Sequence, residues 1–186
     1  TAGGVLDIWQ QSITDMGQTG PDGGTGGRYL LLGPDAPEIV AEGYRVFRSP
    51  TNQLWFGTRG LDPDPAAAEA TTRRHRLYAW ADRDAPPETR WHETDGRPWT
   101  SAQPADLAFW ALLAELYANE PVAPRDRVMF GMLKPLGIAP GRPFAPSARQ
   151  AEILTEAARI GDLMARTNAY AKRDETAIVY PGRRWE

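Results

Sequence analysis

Arg48-Ser49-Pro50-Thr51-Asn52, followed closely by Trp55 and Arg59, gathers more chemistry than any other stretch of this 186-residue sequence. Two guanidiniums, two hydroxyls, a carboxamide and an indole fall around one proline turn between two strand-like runs. Arginine forks hold carboxylate or phosphate with two parallel hydrogen bonds, and an indole face packs on sugars or apolar ligands. Trp9 joins this set from the preceding strand as a binding candidate, making the candidate site Trp9, Arg48, Thr51, Asn52, Trp55 and Arg59. The structural alternative is that Arg48 pairs with an acidic neighbour while Ser49, Thr51 and Asn52 satisfy the backbone of their own turn.

Other constellations carry less. Asp7 and Asp15 would serve as a carboxylate pair only if brought together. Eight residues of straight strand hold them roughly 26 Å apart, against about 5–10 Å between glycosidase carboxylates. His92-Glu93-x-Asp95 offers metal-capable groups, but so tight a loop spacing converges poorly on one ion. Arg73-Arg74-His75-Arg76 reads as a solvated basic helix face, because no aromatics interleave with it. No serine sits in a Gly-x-Ser-x-Gly elbow. No catalytic residue, metal site or cofactor is assigned.

The glycine-dense loop Gly20–Gly27 invites comparison with a phosphate cradle. A P-loop needs Gly-Lys-Ser/Thr at the start of a helix, whereas Arg28-Tyr29-Leu30 leads into a strand. Its glycines therefore read as geometric, letting an open hairpin turn through backbone conformations with φ > 0.

The elements that position these residues fall into two halves. Through about Leu61 the pattern has period two and reads as antiparallel sheet, the sheet-rich part covering 3–61. Helical signals then run over 64–173 in about four helices. Asp64 caps a helix with Pro65 at its first position, continuing through Ala66–Tyr78. A polar, proline-rich loop over Asp82–Thr100 carries Trp91 and Trp99, and Thr100 or Ser101 introduces the second helix. Leu107, Trp110, Leu113, Ala114 and Tyr117 recur there at helical spacing. Pro124 opens a short third helix whose apolar residues are Val128, Met129 and Met132, stopped by Pro135 and Gly137. Ser147 and Gln150 form a capping box for the longest helix, about Ala148–Ala171, with the stripe Ile153, Leu154, Ala157, Ile160 and Met164. Ile178-Val179-Tyr180 reads as a terminal strand over 177–181. The fold class is α+β, sheet first and helices after, within one domain over 1–186.

Composition narrows the classes. A net charge of −3 gives no global attraction to nucleic acid, and the absence of cysteine excludes disulfide and thiolate chemistry within this sequence. No apolar run approaches ~20 residues, so no membrane span is expected. Thr1-Ala2-Gly3-Gly4 shows neither an initiator Met nor a signal pattern, and the sequence is expected to be an excerpt of a longer protein. Exposed sheet edges would then favour self-association, as a homo-oligomer, or marginal stability.

The blocks GVLDIWQQSITDMG, GPDGGTGGRYLLLGP, YRVFRSPTN, PADLAFWALLAELYANEP, LGIAPGRPF and IVYPGRRW, in this order, resemble a bacterial domain-of-unknown-function family, the one numbered twelve fifty-four. The resemblance implies a second, jelly-roll-like C-terminal domain as partner in the same polypeptide, and a periplasmic or secreted setting. Three functional expectations follow. The first is half of an exported two-domain protein whose small-molecule pocket is shared with that partner. The second is a ligand- or glycan-binding module without catalysis, and the third a structural scaffold for the partner.

Overall fold

The computed structural model describes residues 2–94, 96–98, 100–170, 180 and 182. The expected strand over 177–181, together with Asp95, Trp99 and Trp185, lies outside the described residues, apart from Tyr180. Chain contacts divide the protein into two compact units, Thr1–Arg97 and Pro98–Glu186.

The first unit carries the strands found among the described residues. β1 (Ala2–Asp7) lies between β2 (Ser12–Met16) and β5 (Leu54–Arg59), antiparallel to both. What looked in sequence like one long strand through VLDIWQQSITDMG is a tight hairpin. Asp7 explains the break: its buried Oδ1 accepts hydrogen bonds from the backbone N–H of Trp9 and of Gln11, both at 2.9 Å. Gln10 takes the left-handed conformation, φ 62°, and the side chain of an aspartate two to four residues upstream is the usual device that stabilises such a turn. Asp7 and Asp15 consequently sit on different strands, Asp15 opposite Gly4, with Asp7 buried and Asp15 exposed. They form no carboxylate pair.

The glycine loop differs from expectation as well. It joins β2 to β3 (Arg28–Leu32), and these strands do not pair. β3 instead runs parallel to β4 (Tyr44–Arg48) in a separate two-stranded sheet, with Leu30 opposite Val46 and Leu32 opposite Arg48. The loop is therefore a connection between two sheets rather than a hairpin. Parallel strands need a crossover, and here residues 33–43 supply it without any helix. Arg48 holds that crossover in place. Its guanidinium donates to the carbonyls of Gly33, Pro34 and Ala36 and pairs with Glu38 at 2.6 Å. Val5, Leu30 and Leu32 form the buried apolar centre of this unit.

α1 (Pro65–Thr72) starts as its sequence requires, with the Asp64 carboxylate accepting from the Ala66 N–H. It stops six residues before the expected end at Tyr78. α1 approaches β5 closely at Gly60, where a Cβ would lie 2.7 Å from that of Ala68.

The second unit is helical. α2 (Leu107–Asn119) is capped by Asp106, whose side chain accepts from Ala108 N–H at 2.9 Å, rather than by Thr100 or Ser101. A 3-10 turn over Pro124–Asp126 leads into α3 (Arg127–Gly131), and Gly137 ends the following turn at φ 83°. α3 presents the opposite face from the one its apolar sequence suggests. Phe130 is buried against Tyr117 of α2, centroids 4.5 Å apart, whereas Val128, Met129 and Met132 are exposed. α4 (Ala148–Tyr170) begins with the expected reciprocal box: Ser147 N–H donates to Gln150 Oε1 at 2.9 Å and Gln150 N–H to Ser147 Oγ at 3.3 Å. The Trp110 indole N–H donates to the Leu154 carbonyl at 2.7 Å and joins α2 to α4. Leu154 and Ala158 are the buried positions of α4, while Ile153, Ile160 and Met164 of the expected stripe face solvent.

Candidate functional site

The candidate residues from sequence separate into three places. Ser49 and Thr51 are buried and bonded within their own turn: Ser49 Oγ donates to Thr51 O at 2.6 Å, and Thr51 Oγ1 donates to Gln53 O at 2.8 Å. The Ile8 N–H also donates to Thr51 Oγ1, at 3.2 Å, bringing the Trp9 turn against this one. Trp55 pairs with Leu6 on the neighbouring strand, so Trp9, Thr51, Asn52 and Trp55 share one end of the three-stranded sheet. Arg59 lies at the other end, opposite Ala2, and Arg48 is engaged with the crossover. Trp55 is 58% exposed and is the large aromatic surface of this group.

A cleft in the first unit gathers different side chains. It encloses about 400 Å³ between the glycine loop, β5 and the C-terminal end of α1. Asp22 organises its loop wall. This carboxylate is only 7% exposed. Its Oδ1 accepts from Gly17 N–H at 2.8 Å and from the Tyr29 hydroxyl at 2.9 Å, and its Oδ2 accepts from Gly26 N–H at 3.0 Å. Gly17, Gly23, Gly24 and Gly26 all have positive φ, a conformation that other residues adopt only with strain; the Gly17 and Gly26 amides point at Asp22, while those of Gly23 and Gly24 donate to the carbonyls of Gly20 and Gly17. Gly20 meets the same constraint by contact, since a Cβ there would lie 2.4 Å from the Asp15 carbonyl oxygen.

Backbone amides that converge on one point, as those of Gly17 and Gly26 do, make an anion site. Here the anion is the protein's own. Burial pushes the Asp22 carboxyl up, but the hydrogen bonds from Gly17, Tyr29 and Gly26 outweigh it and hold it below its ordinary value. Tyr29 responds in the opposite sense: burial and the adjoining Asp22 carboxylate raise its phenol.

The facing wall comes from the basic run that sequence reads as a solvated helix face. α1 ends at Thr72, and residues 73–75 follow it in turns closed by Arg74 N–H to Thr71 O and His75 N–H to Thr72 O. Arg73 remains outside, paired with Glu69 and Glu93 at 2.7 and 2.9 Å, and Arg76 donates to the Pro86 carbonyl. Arg74 and His75 line the cleft with Thr58 and Thr71. His75 Nδ1 is buried and has no hydrogen-bond partner among the described residues. Buried polar atoms are nearly always satisfied, so an orphaned ring nitrogen on a cavity wall marks a place where a ligand or water completes the structure. Among the described residues no three His, Asp or Glu side chains converge on a metal position, and no helix is long and apolar enough to cross a membrane.

Fold and cleft together define an α+β domain with a self-anchored glycine loop, and neither carries the signature of a particular reaction. The model of a family described as protein of unknown function, DUF1254, matches residues 1–79 of the chain. The matched stretch contains every strand among the described residues, α1 and the cleft. The crystal structure of the VPA0106 protein from Vibrio parahaemolyticus is similar in fold, with a TM-score of 0.59 and 11% sequence identity. The likeness covers 92% of this chain but 42% of that one, so this chain spans less than half of that protein's length. No curated protein matches the chain.

Proposed function

We propose that this domain is a small-molecule-binding module within a larger polypeptide, with its site in the cleft between the glycine loop and residues 71–75. The observation that carries this reading is the buried, unpartnered His75 Nδ1 on the wall of a cavity of about 400 Å³. Clefts of this size that combine apolar surface with a few converging polar groups are the ordinary form of a ligand site. Sharing of the site with a jelly-roll-like partner domain, and export of the full protein, belong to the same proposal; the family resemblance supports them. The sheet end formed by Trp9, Thr51, Asn52 and Trp55, with Arg48 and Arg59 nearby in sequence, is the secondary binding surface, supported by the exposed Trp55 ring.

The test is an NMR screen of the chain against a library of small polar metabolites. Binders are expected to shift the amides of Gly17, Gly24, Gly26, Thr58 and His75 as one group. A broad library whose shifts all fall elsewhere, or which produces none, overturns the reading.

A second reading, a scaffold for further protein, draws on the exposed Val128, Met129, Met132, Ile160 and Met164 of the second unit. So many uncovered large side chains favour association. The isolated chain is expected to self-associate at micromolar concentration in sedimentation experiments; a monodisperse, cooperatively melting monomer contradicts this.

A further inference from the structure

The two walls of the cleft are opposite in charge. On the loop wall Asp22 is anionic, and its three hydrogen-bond partners are neutral donors, a hydroxyl and two amides. Two of these bonds reach Oδ1 and one reaches Oδ2, which leaves acceptor capacity on Oδ2 for one more donor. On the facing wall Arg74 carries a guanidinium for which neither a salt bridge nor a side-chain hydrogen bond is made to the described residues, and the His75 nitrogen beside it is unpartnered. Thr58 and Thr71 add hydroxyls between them.

A simple anion fits this arrangement poorly. Phosphate or a second carboxylate would gain from Arg74, but the Gly17 and Gly26 amides are taken by Asp22, those of Gly23 and Gly24 by loop carbonyls, and the Asp22 charge repels it. A simple cation has the converse difficulty. Resting on the binding reading above, we propose that the cleft takes a small zwitterion, its carboxylate on Arg74 and His75 and its ammonium toward Asp22. Guanidinium and carboxylate form paired, charge-assisted hydrogen bonds, and an ammonium supplies the donors that the open Asp22 position lacks. A ligand with both charges satisfies both walls, whereas one with a single charge leaves the other wall facing water or a like charge.

Two matched trios of probes test this on the full chain by NMR titration. One is 4-aminobutanoate, butanoate and butylamine; the other, with a shorter charge separation, is glycine, acetate and methylamine. In at least one trio the zwitterion is expected to bind at least tenfold more tightly than either singly charged analogue, with shifts at Gly26, Thr71 and His75. R74Q, at an exposed position with no side-chain partner to lose, is expected to keep the fold and to erase the advantage of the zwitterion over the amine. Equal binding of zwitterion and carboxylate in both trios overturns the inference, as does an R74Q protein that retains the preference. If library compounds shift the cleft residues while all six probes fail, the zwitterion is wrong and the site stands. If nothing shifts the cleft, both readings fall together.

Discussion

Asp22→Ala is expected to destabilise the first unit by about 2–4 kcal/mol, a fall of roughly 10 °C or more in the melting temperature of a unit this size. The substitution strips the acceptor from Gly17 N–H, Gly26 N–H and the Tyr29 hydroxyl in one step. Stranding buried donors costs more than the net worth of the bonds they made. Asp22→Asn is expected to fall between, at about 1–2 kcal/mol, because the amide oxygen can still accept from Gly17 and Tyr29 while its NH₂ faces the Gly26 N–H. The pH dependence has a definite sign. The carboxyl sits below its ordinary value of 3.8 in the folded protein, so its stabilisation is fully present above that value and is lost as pH falls through the folded one. The gap in melting temperature between wild type and Asp22→Ala should therefore narrow as the pH is lowered from 6 into the acid range below 3.8. An alanine variant within about 0.5 kcal/mol of wild type at pH 6 would mean that the loop holds its shape through its own backbone.

The second large effect concerns the helical unit. Phe130→Ala is expected to cost about 3–5 kcal/mol, measured by urea denaturation followed by circular dichroism. Phe130 is nearly buried and packs on Tyr117, itself the buried residue of α2. Truncation leaves a ring-sized cavity and removes an aromatic pair worth about 0.5–1.5 kcal/mol beyond its area. The neighbouring Met129→Ala supplies the contrast. Met129 is exposed, and its removal should change stability by no more than about 0.5 kcal/mol. If the methionine variant proved the more damaging of the two, the assignment of the inner face of α3 would be wrong.

That face shows where sequence stops being informative. In VMFGM every choice of face is apolar, so periodicity over so short a helix cannot choose between Phe130 and the flanking methionines. The rotation is set by what α2 offers to pack against. The Ser147–Gln150 box was legible because the interaction is local: both partners lie within one turn and their types are diagnostic. Asp64 with Pro65 was legible for the same reason. The pairing of β3 with β4 was not. Strand-forming residues announce a strand but not its partner, and a crossover without a helix carries none of the usual signals of a parallel pair. The hairpin through Asp7–Gln11 was hidden in a different way. Its turn has no glycine or proline; it depends on one aspartate side chain and a glutamine at positive φ.

At the site, the geometric role of the glycines was readable, since no lysine or following helix completed a phosphate motif. The role of Asp22 was not, because an aspartate after proline reads equally well as an ordinary turn residue. Arg74 and His75 were placed on a solvated face only because the helix was expected to continue to Tyr78. Two β-branched threonines, Thr71 and Thr72, immediately before the basic run were the available sign that it ends sooner.

The clamp made by Arg48 bears on how this segment can vary. Surface connections ordinarily absorb added or deleted residues with little effect. In the crossover, one guanidinium reads three carbonyls and a carboxylate at fixed offsets along the chain, at Gly33, Pro34, Ala36 and Glu38. It works as a ruler. Side chains along the segment can drift freely, because the contacts are mostly to backbone, yet its length between Gly33 and Ala36 cannot change without losing the mark at one end. Relatives should therefore differ here in spelling and agree in count.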